Sequence, residues 1–308
     1  MRSRRRFLAI AAAAAAAGLR PSLARGDTSA AAAPEAGPLL TRPIPASGEM
    51  LPVIGMGTSG SFDRPADERD ALREVLRRFL AAGARVIDTA PVYGEAEAAV
   101  GVLVAEAGAR EKVFLATKIS ITGREAGLAQ FQRSLADLRT DAVDLLQVHS
   151  LRDWQTQLPL IRALKAEGKT RYVGVTHSSN GAHDDLAAVI ESERPDFLQV
   201  NYSVAEPAAQ DRLLPLARDL GVAVIVNRAF LDGALFKRVD GKALPPWAAD
   251  FGIGSWAQLF LKFALSHPAV TVVIPATGKP DRQSDNLEAG VGPMLPPAQC
   301  AELVQIFA

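Results

Sequence analysis

Beyond residue 40 the chain alternates between two kinds of segment. Short runs rich in Val, Ile, Leu and Phe occupy 53–56, 85–88, 113–117, 143–148, 171–175, 197–201, 222–226 and 271–274. The stretches between them repeat apolar residues every three or four positions. In 68–80 they fall at Ala71, Leu72, Val75, Leu76, Phe79 and Leu80, one face of a helix. The same reading predicts helices over 96–106, 128–138, 154–167, 186–191, 211–220, 255–265 and 282–288. Eight short apolar strands, each followed by a helix, define an α/β chain folded as a (β/α)8 TIM barrel, a single domain over 41–308. A Pro-rich stretch over 42–52 precedes the first strand. Its Ser47-Gly48 pair predicts a short hairpin that closes the barrel floor.

Composition narrows this picture. The chain has 308 residues, enough for one large barrel, and 48% hydrophobic residues, enough for a sizeable core. Basic and acidic residues balance at 34 each. Residues 1–24 hold five arginines and no acid, so the remaining body carries a net charge of −5. A mildly acidic body gives no support for nucleic-acid binding. The single cysteine, Cys300, excludes an internal disulfide. The histidines, at 149, 177, 183 and 267, show no metal-ligand spacing beyond the isolated pair His177 and His183, so no metal site is expected.

The front of the chain has its own order. Ser3-Arg4-Arg5-Arg6-Phe7-Leu8 leads into an alanine-rich apolar run, and Ser22-Leu23-Ala24 or Thr28-Ser29-Ala30 offers small residues for cleavage. The basic front, short apolar stretch and small-residue region describe an export signal over 1–24. The run is too short and alanine-rich for a good membrane span, so no stable membrane anchor is expected. The Ser-Arg-Arg-x-Phe-Leu order resembles a twin-arginine signal, an address read by the twin-arginine export machinery. That resemblance implies export of an already folded body to the periplasm, or a cytoplasmic protein if the signal is not used. Residues 25–40, rich in Ala, Pro and Gly, read as a flexible tether.

Gly55-Met56-Gly57-Thr58-Ser59-Gly60 matches G-x-G-x-x-G, but Ser61-Phe62-Asp63-Arg64-Pro65 intervenes before the helical pattern starts. A dinucleotide fingerprint must open a helix directly. The stretch reads better as a glycine-rich loop at the mouth of the first strand.

Chemistry-bearing residues gather at three strand ends. Asp88 closes the second strand, Lys118 the third and His149 the fourth, while Tyr93 sits on the loop after Asp88. All four would converge at the C-terminal mouth, where barrel active sites lie. A lysine in an otherwise apolar strand needs a carboxylate beside it, and Asp88 can supply one. A phenol becomes a useful acid beside a cation that stabilises the phenolate.

With these residues the chain resembles the aldo-keto reductases. Asp88-Thr89-Ala90-Pro91-Val92-Tyr93-Gly94, the strand-ending Lys118 and the strand-ending His149 match that family's tetrad in order and context. Gly168-Lys169-Thr170-Arg171-Tyr172-Val173-Gly174-Val175 resembles its run into the fifth strand. Gln199-Val200-Asn201-Tyr202 resembles its sixth strand end. Ile274-Pro275 with Arg282 and Asn286 resembles its cofactor-adenosine segment. The likeness covers about residues 40–290.

The resemblance implies an enzyme, an oxidoreductase that transfers a hydride between a nicotinamide and a small carbonyl substrate, reducing an aldehyde or ketone to an alcohol. Tyr93 is then the general acid, Lys118 its activating cation, Asp88 the residue holding Lys118, and His149 a hydrogen-bond donor to the carbonyl oxygen. It also implies cofactor contacts from Gly57, Thr58, Thr176, His177, Gln199, Asn227, Arg228, Phe230, Thr277, Lys279, Arg282 and Asn286. Three positions depart from the family pattern. Thr176-His177 stands where Ser-Asn is usual. Asn227-Arg228-Ala229-Phe230 lacks the stacking tyrosine, leaving the role to Arg228 or Phe230. Ala276 replaces a lysine after Ile-Pro. Arginine grips a 2′-phosphate bidentately, so Arg282 favours NADP (NADPH) over NAD. Two other readings stay open: a cofactor-binding sensor or regulatory subunit with little turnover, and an exported enzyme that holds its nicotinamide cofactor tightly. The expected unit is a monomer.

Overall fold

The computed structural model describes residues 37–307. The export-signal reading of 1–24, and most of the tether reading of 25–40, therefore lie outside the described residues.

The chain opens with a two-stranded antiparallel hairpin, β1 (Thr41–Pro43) and β2 (Met50–Pro52), turned around Ser47 and Gly48. Eight parallel strands follow: β3 (Met56–Gly57), β4 (Val86–Asp88), β5 (Phe114–Ile119), β6 (Val143–Val148), β7 (Thr170–Thr176), β8 (Phe197–Asn201), β9 (Ala223–Asn227) and β10 (Val270–Val273). They pair in sequence order from β3 to β10. The ring closes where Val53, Gly55 and Gly57 bond to the last strand. Val273 N–H donates to the Val53 carbonyl at 2.9 Å, Gly55 N–H to that of Val273 at 2.9 Å, and Gly57 N–H to that of Pro275 at 3.0 Å. A Cβ at Gly57 would sit 2.8 Å from the Ile274 carbonyl oxygen, so this seam needs glycine. The glycine-rich loop thus serves barrel closure. The first predicted strand is shorter than expected because 53–55 bond to β10 and not to β4.

The helices that follow the strands are α1 (Asp70–Ala81), α2 (Ala96–Glu106), α3 (Arg124–Asp137), α4 (Trp154–Ala166), α5 (His183–Glu193), α6 (Leu213–Asp219), α7 (Ala234–Arg238), α8 (Trp256–Ser266) and, after the last strand, α9 (Pro280–Glu288). In α1 the predicted stripe is the buried one: Leu72, Val75, Leu76 and Phe79 face the barrel. Ser255 caps α8, its Oγ accepting the Gln258 N–H at 3.1 Å. A last helix, α10 (Pro297–Phe307), brings Phe307 against Trp256 and Phe260. Periodicity showed neither α7 nor α10. Cys300, on α10, is half-buried, and burial pushes its thiol up. Among the described residues, no helix is long and apolar enough to cross a membrane.

Two apolar layers result. One lies between strands and helices. The other fills the barrel, where Val86, Phe114, Leu145, Phe197, Ile225 and Val272 meet. Ile44 and Leu51 of the hairpin join this inner cluster, so the hairpin plugs the floor.

One acid is buried in the outer layer. Glu97 on α2 accepts the Thr117 hydroxyl at 2.5 Å and the Ser134 hydroxyl at 3.0 Å. Burial pushes its carboxyl up, against the pull of those two hydroxyls. A folded-state value above the unfolded one means stability is lost as pH rises from the unfolded value through the folded one. Glu97→Gln abolishes that loss, because the amide stays neutral while serving both hydroxyls. Glu97→Ala leaves both hydroxyls unpaired and costs about 1–3 kcal/mol. Urea unfolding at acidic and neutral pH checks both, and an alanine variant as stable as the parent would contradict the argument.

Candidate active site

Side chains in a strand alternate between faces. Val86 points into the barrel, so Asp88 does too. Phe114 and Ala116 point inward, and Lys118 follows them. Leu145 leads to Gln147, then His149 just past the strand, and Phe197 leads to Gln199. The pairing register sets Lys118 beside Gln147. A polar layer therefore rests on the apolar interior at the C-terminal mouth.

Its centre is an ion pair. Lys118 Nζ donates to Asp88 Oδ2 at 2.6 Å and to the Thr89 carbonyl at 2.8 Å. The side chains are 0% and 3% exposed, so neither charge is met by bulk water. The other Asp88 oxygen, Oδ1, accepts Gln147 Nε2 at 3.0 Å and Gln199 Nε2 at 2.8 Å. Both carboxylate oxygens are therefore bonded, the condition under which a buried charge is tolerable. Burial alone would lower the Lys118 ammonium, but the Asp88 carboxylate and the Tyr93 hydroxyl outweigh it and the net shift is upward.

Tyr93 is half-buried at the cleft wall, its ring centroid 5.1 Å from Lys118 Nζ. Two turns of backbone hold it: Tyr93 N–H donates to Ala90 and its carbonyl accepts from Ala96. A latch from the first βα loop adds to this. The Asp63 carboxylate accepts the Glu95 N–H at 2.9 Å. Gly94 has φ +60°, and a Cβ there would run into that carboxylate. Glycine is thus required on both counts.

The His149 ring stands edge-to-face with Tyr93, centroids 5.8 Å apart. Burial, and then the Lys118 charge, lower its imidazole to about 4. The ring is neutral at ordinary pH, so its tautomer decides what it can donate. Its Nδ1 lies 3.0 Å from Ser120 Oγ.

Asp88, Tyr93 and His149 open onto one cleft of about 690 Å³. Gly57, Thr58, Thr176, Gln199, Asn227, Arg228, Phe230 and Arg282 line it as well, so the structure gathers these predicted cofactor residues around the tetrad. Lys118 lies beneath its floor. The structure does not bring His177, Thr277, Lys279 or Asn286 into the wall. His177 donates its backbone N–H to the Gln199 carbonyl, and Ser178 takes the wall position. Thr277 accepts the Lys279 N–H at 3.1 Å, Lys279 is exposed at the start of α9, and Asn286 is buried on that helix.

Among the described residues, two polar atoms of the wall have no partner: Asn227 Oδ1 and Arg228 Nε. Buried polar atoms are normally paired, so these two fit a polar ligand. Arg228 has φ +53° and pairs with Asp232 at 2.5 Å, while Phe230 packs on Phe236. Arg282 makes no ion pair among the described residues. No cluster of three His, Cys, Asp or Glu there is arranged to hold a metal ion.

Sequence reasoning missed Gln147, Ser120 and Asp63. Gln147 was visible in principle, since it shares the parity of Leu145 and His149 and is an amide in an apolar strand.

A buried lysine–carboxylate pair beneath a phenol and a neutral imidazole, at the C-terminal mouth of a barrel, is an arrangement suited to proton transfer. The chain is a member of the aldo/keto reductase family, whose family model matches residues 53–307. It is 30% identical over 200 residues to the aldo-keto reductase YhdN of Bacillus subtilis, covering 59% of this chain and 59% of that protein. It is 29% identical over 248 residues to the methylglyoxal reductase DkgB of Escherichia coli O157:H7, covering 78% and 87%. A crystal structure of an aldo-keto reductase from Klebsiella pneumoniae in complex with NADPH superposes with a TM-score of 0.73 at 27% identity, covering 84% of this chain and 92% of that one.

Proposed function

We propose that this protein is an NADP(H)-dependent oxidoreductase that reduces a small aldehyde or ketone to an alcohol, with Tyr93 as the proton donor. The observation that carries the reading is the buried Lys118–Asp88 pair beneath Tyr93, with His149 packed edge-to-face beside it. A nicotinamide dinucleotide fits this site by volume, by the orphan atoms of Asn227 and Arg228, and by the unpaired Arg282. When bound, it supplies the hydride, which is chemistry no side chain provides.

The protein's own groups supply the rest. Tyr93 and His149 stand side by side on the cleft wall, and there a carbonyl oxygen would accept a hydrogen bond from each. As negative charge builds on that oxygen, Tyr93 passes its proton over and Lys118 stabilises the phenolate left behind. Asp88 keeps Lys118 charged, and Gln147 and Gln199 keep Asp88 in place. Thr176, Gln199 and Asn227 hold the nicotinamide end, and Arg282 the adenosine end.

The NADP(H) preference rests on Arg282, together with the NADPH-bound Klebsiella relative. An Escherichia coli relative, 28% identical over 228 residues, is an NADH-specific methylglyoxal reductase, so the family admits both cofactors. Arg282→Ala weakens NADPH binding roughly 10- to 100-fold, the size of a lost charge-assisted contact, and leaves NADH binding nearly unchanged. Fluorescence titration with both nucleotides measures this. Equal weakening of the two would remove Arg282 as the phosphate contact.

A further inference from the structure

We propose that Ser120 is a positioning residue that fixes the tautomer of His149. The proposal rests on the carbonyl-reducing role given to His149 above, and it assigns a task to a residue outside the tetrad. To help a carbonyl oxygen, the neutral imidazole must carry its proton on the nitrogen offered to the cleft. That nitrogen is Nε2, because Nδ1 is turned to Ser120 Oγ at 3.0 Å. A serine hydroxyl can donate or accept. When it donates to Nδ1, the ring proton sits on Nε2 and the ring is a donor to the cleft. When it accepts, the ring offers only a lone pair there and cannot help.

Ser120 is itself held. Its backbone N–H donates to Gln130 Oε1 at 2.7 Å, and Gln130 is a buried side chain of α3. The hydroxyl is thus set at the end of β5 by a contact from the helix behind it, two residues past Lys118. No other partner competes for Ser120 Oγ among the described residues. The Tyr93 ring packs against the His149 ring edge-to-face and limits its rotation. Position 120 therefore links the helix layer to the ring that faces substrate. A side chain without a hydroxyl leaves Nδ1 unpaired and the tautomers free to mix. Histidine rings normally have the outer nitrogen's partner set the inner one's state.

The test reads the ring directly in the full protein without substrate. ¹⁵N-histidine labelling and long-range ¹H–¹⁵N correlation report which nitrogen of His149 carries the proton, with His149→Asn identifying the signal. The expected result is one tautomer, Nε2–H, in the parent and in Ser120→Thr, and a mixture in Ser120→Ala. Turnover of a simple aldehyde then falls roughly three- to tenfold in kcat for Ser120→Ala, as for one lost neutral hydrogen bond. Threonine restores it, and nucleotide affinity stays unchanged. An Nδ1–H ring in the parent, or a ring unaltered in Ser120→Ala, overturns the proposal. Absence of turnover in the parent would count against the reductase reading instead, while the tautomer signal still decides the role of Ser120.

Discussion

Tyr93→Phe lowers kcat for carbonyl reduction by about 10²–10⁴-fold, the range of a lost general acid. The loss falls on turnover and not on nucleotide binding, for a reason visible in the cleft. The Tyr93 ring packs against His149, whereas Thr176, Asn227 and Arg282 come to the wall from β7, β9 and α9. Phenylalanine keeps the edge-to-face packing on His149 and removes only the hydroxyl. Fold and stability therefore stay close to those of the parent. Single-turnover measurement with NADPH bound separates the chemical step from cofactor exchange. A variant that turned over at the parental rate would show that the proton comes from elsewhere.

The second large effect concerns the ion pair under that tyrosine. Asp88→Asn removes the counter-charge of a fully buried lysine. Breaking a buried pair from one side costs about 3–5 kcal/mol, a large share of the roughly 5–15 kcal/mol that holds a domain together. The pH dependence has a definite sign. In the parent, the folded-state value of Lys118 lies above its unfolded value, so its contribution is complete at neutral pH and is lost only as pH rises through the folded value. Without Asp88, only Tyr93 and the Thr89 carbonyl oppose burial, and the lysine falls below its unfolded value. It then costs stability at every pH below the unfolded value, neutral pH included. The double variant Asp88→Asn with Lys118→Met removes both charges, keeps an oxygen for the Gln147 and Gln199 amides, and recovers most of the lost stability, yet it stays inactive. Chemical unfolding of the three proteins, with aldehyde turnover alongside, distinguishes a pair kept for chemistry from one kept for folding. A double variant as unstable as Asp88→Asn would contradict the charge argument.

The strands and the tetrad were readable because they depend on local rules. Short continuous apolar runs marked the strands, and a charged residue ending an apolar strand marks a barrel mouth whatever the helices do. Asp88, Lys118 and His149 needed nothing more. The hairpin turn at Ser47 and Gly48 was local in the same sense. Partners across strands were harder. Gln147 and Gln199 meet on Asp88 only because β4, β6 and β8 bring their inner faces to one level, and that register is written in no single segment. Ser120 carries no signal of its own in the sequence, and only the fold puts it beside His149. The cleft wall was legible in outline, since Thr176, Asn227 and Arg282 reach it. His177 and Lys279 do not, because the turns after β7 and before α9 point them elsewhere. The loop after β9 could not be read ahead of the fold. Arg228, Leu231 and Asp232 all adopt left-handed backbone there, and of these only Asp232 is of a type that favours it. The short α7 follows from that loop, too brief to show a helical period.

The most direct test of the account joins binding and turnover in one experiment on the body from residue 25 onward. Tryptophan fluorescence is titrated with NADPH and NADH, a simple aromatic aldehyde is added, and cofactor absorbance is followed for the parent and for Tyr93→Phe. The account predicts tight NADPH binding by both proteins, with turnover in the parent alone. Tight binding without turnover across a broad carbonyl panel would contradict the reductase reading and mark a cofactor-binding regulatory subunit, and failure to bind either nucleotide would contradict the cofactor site itself.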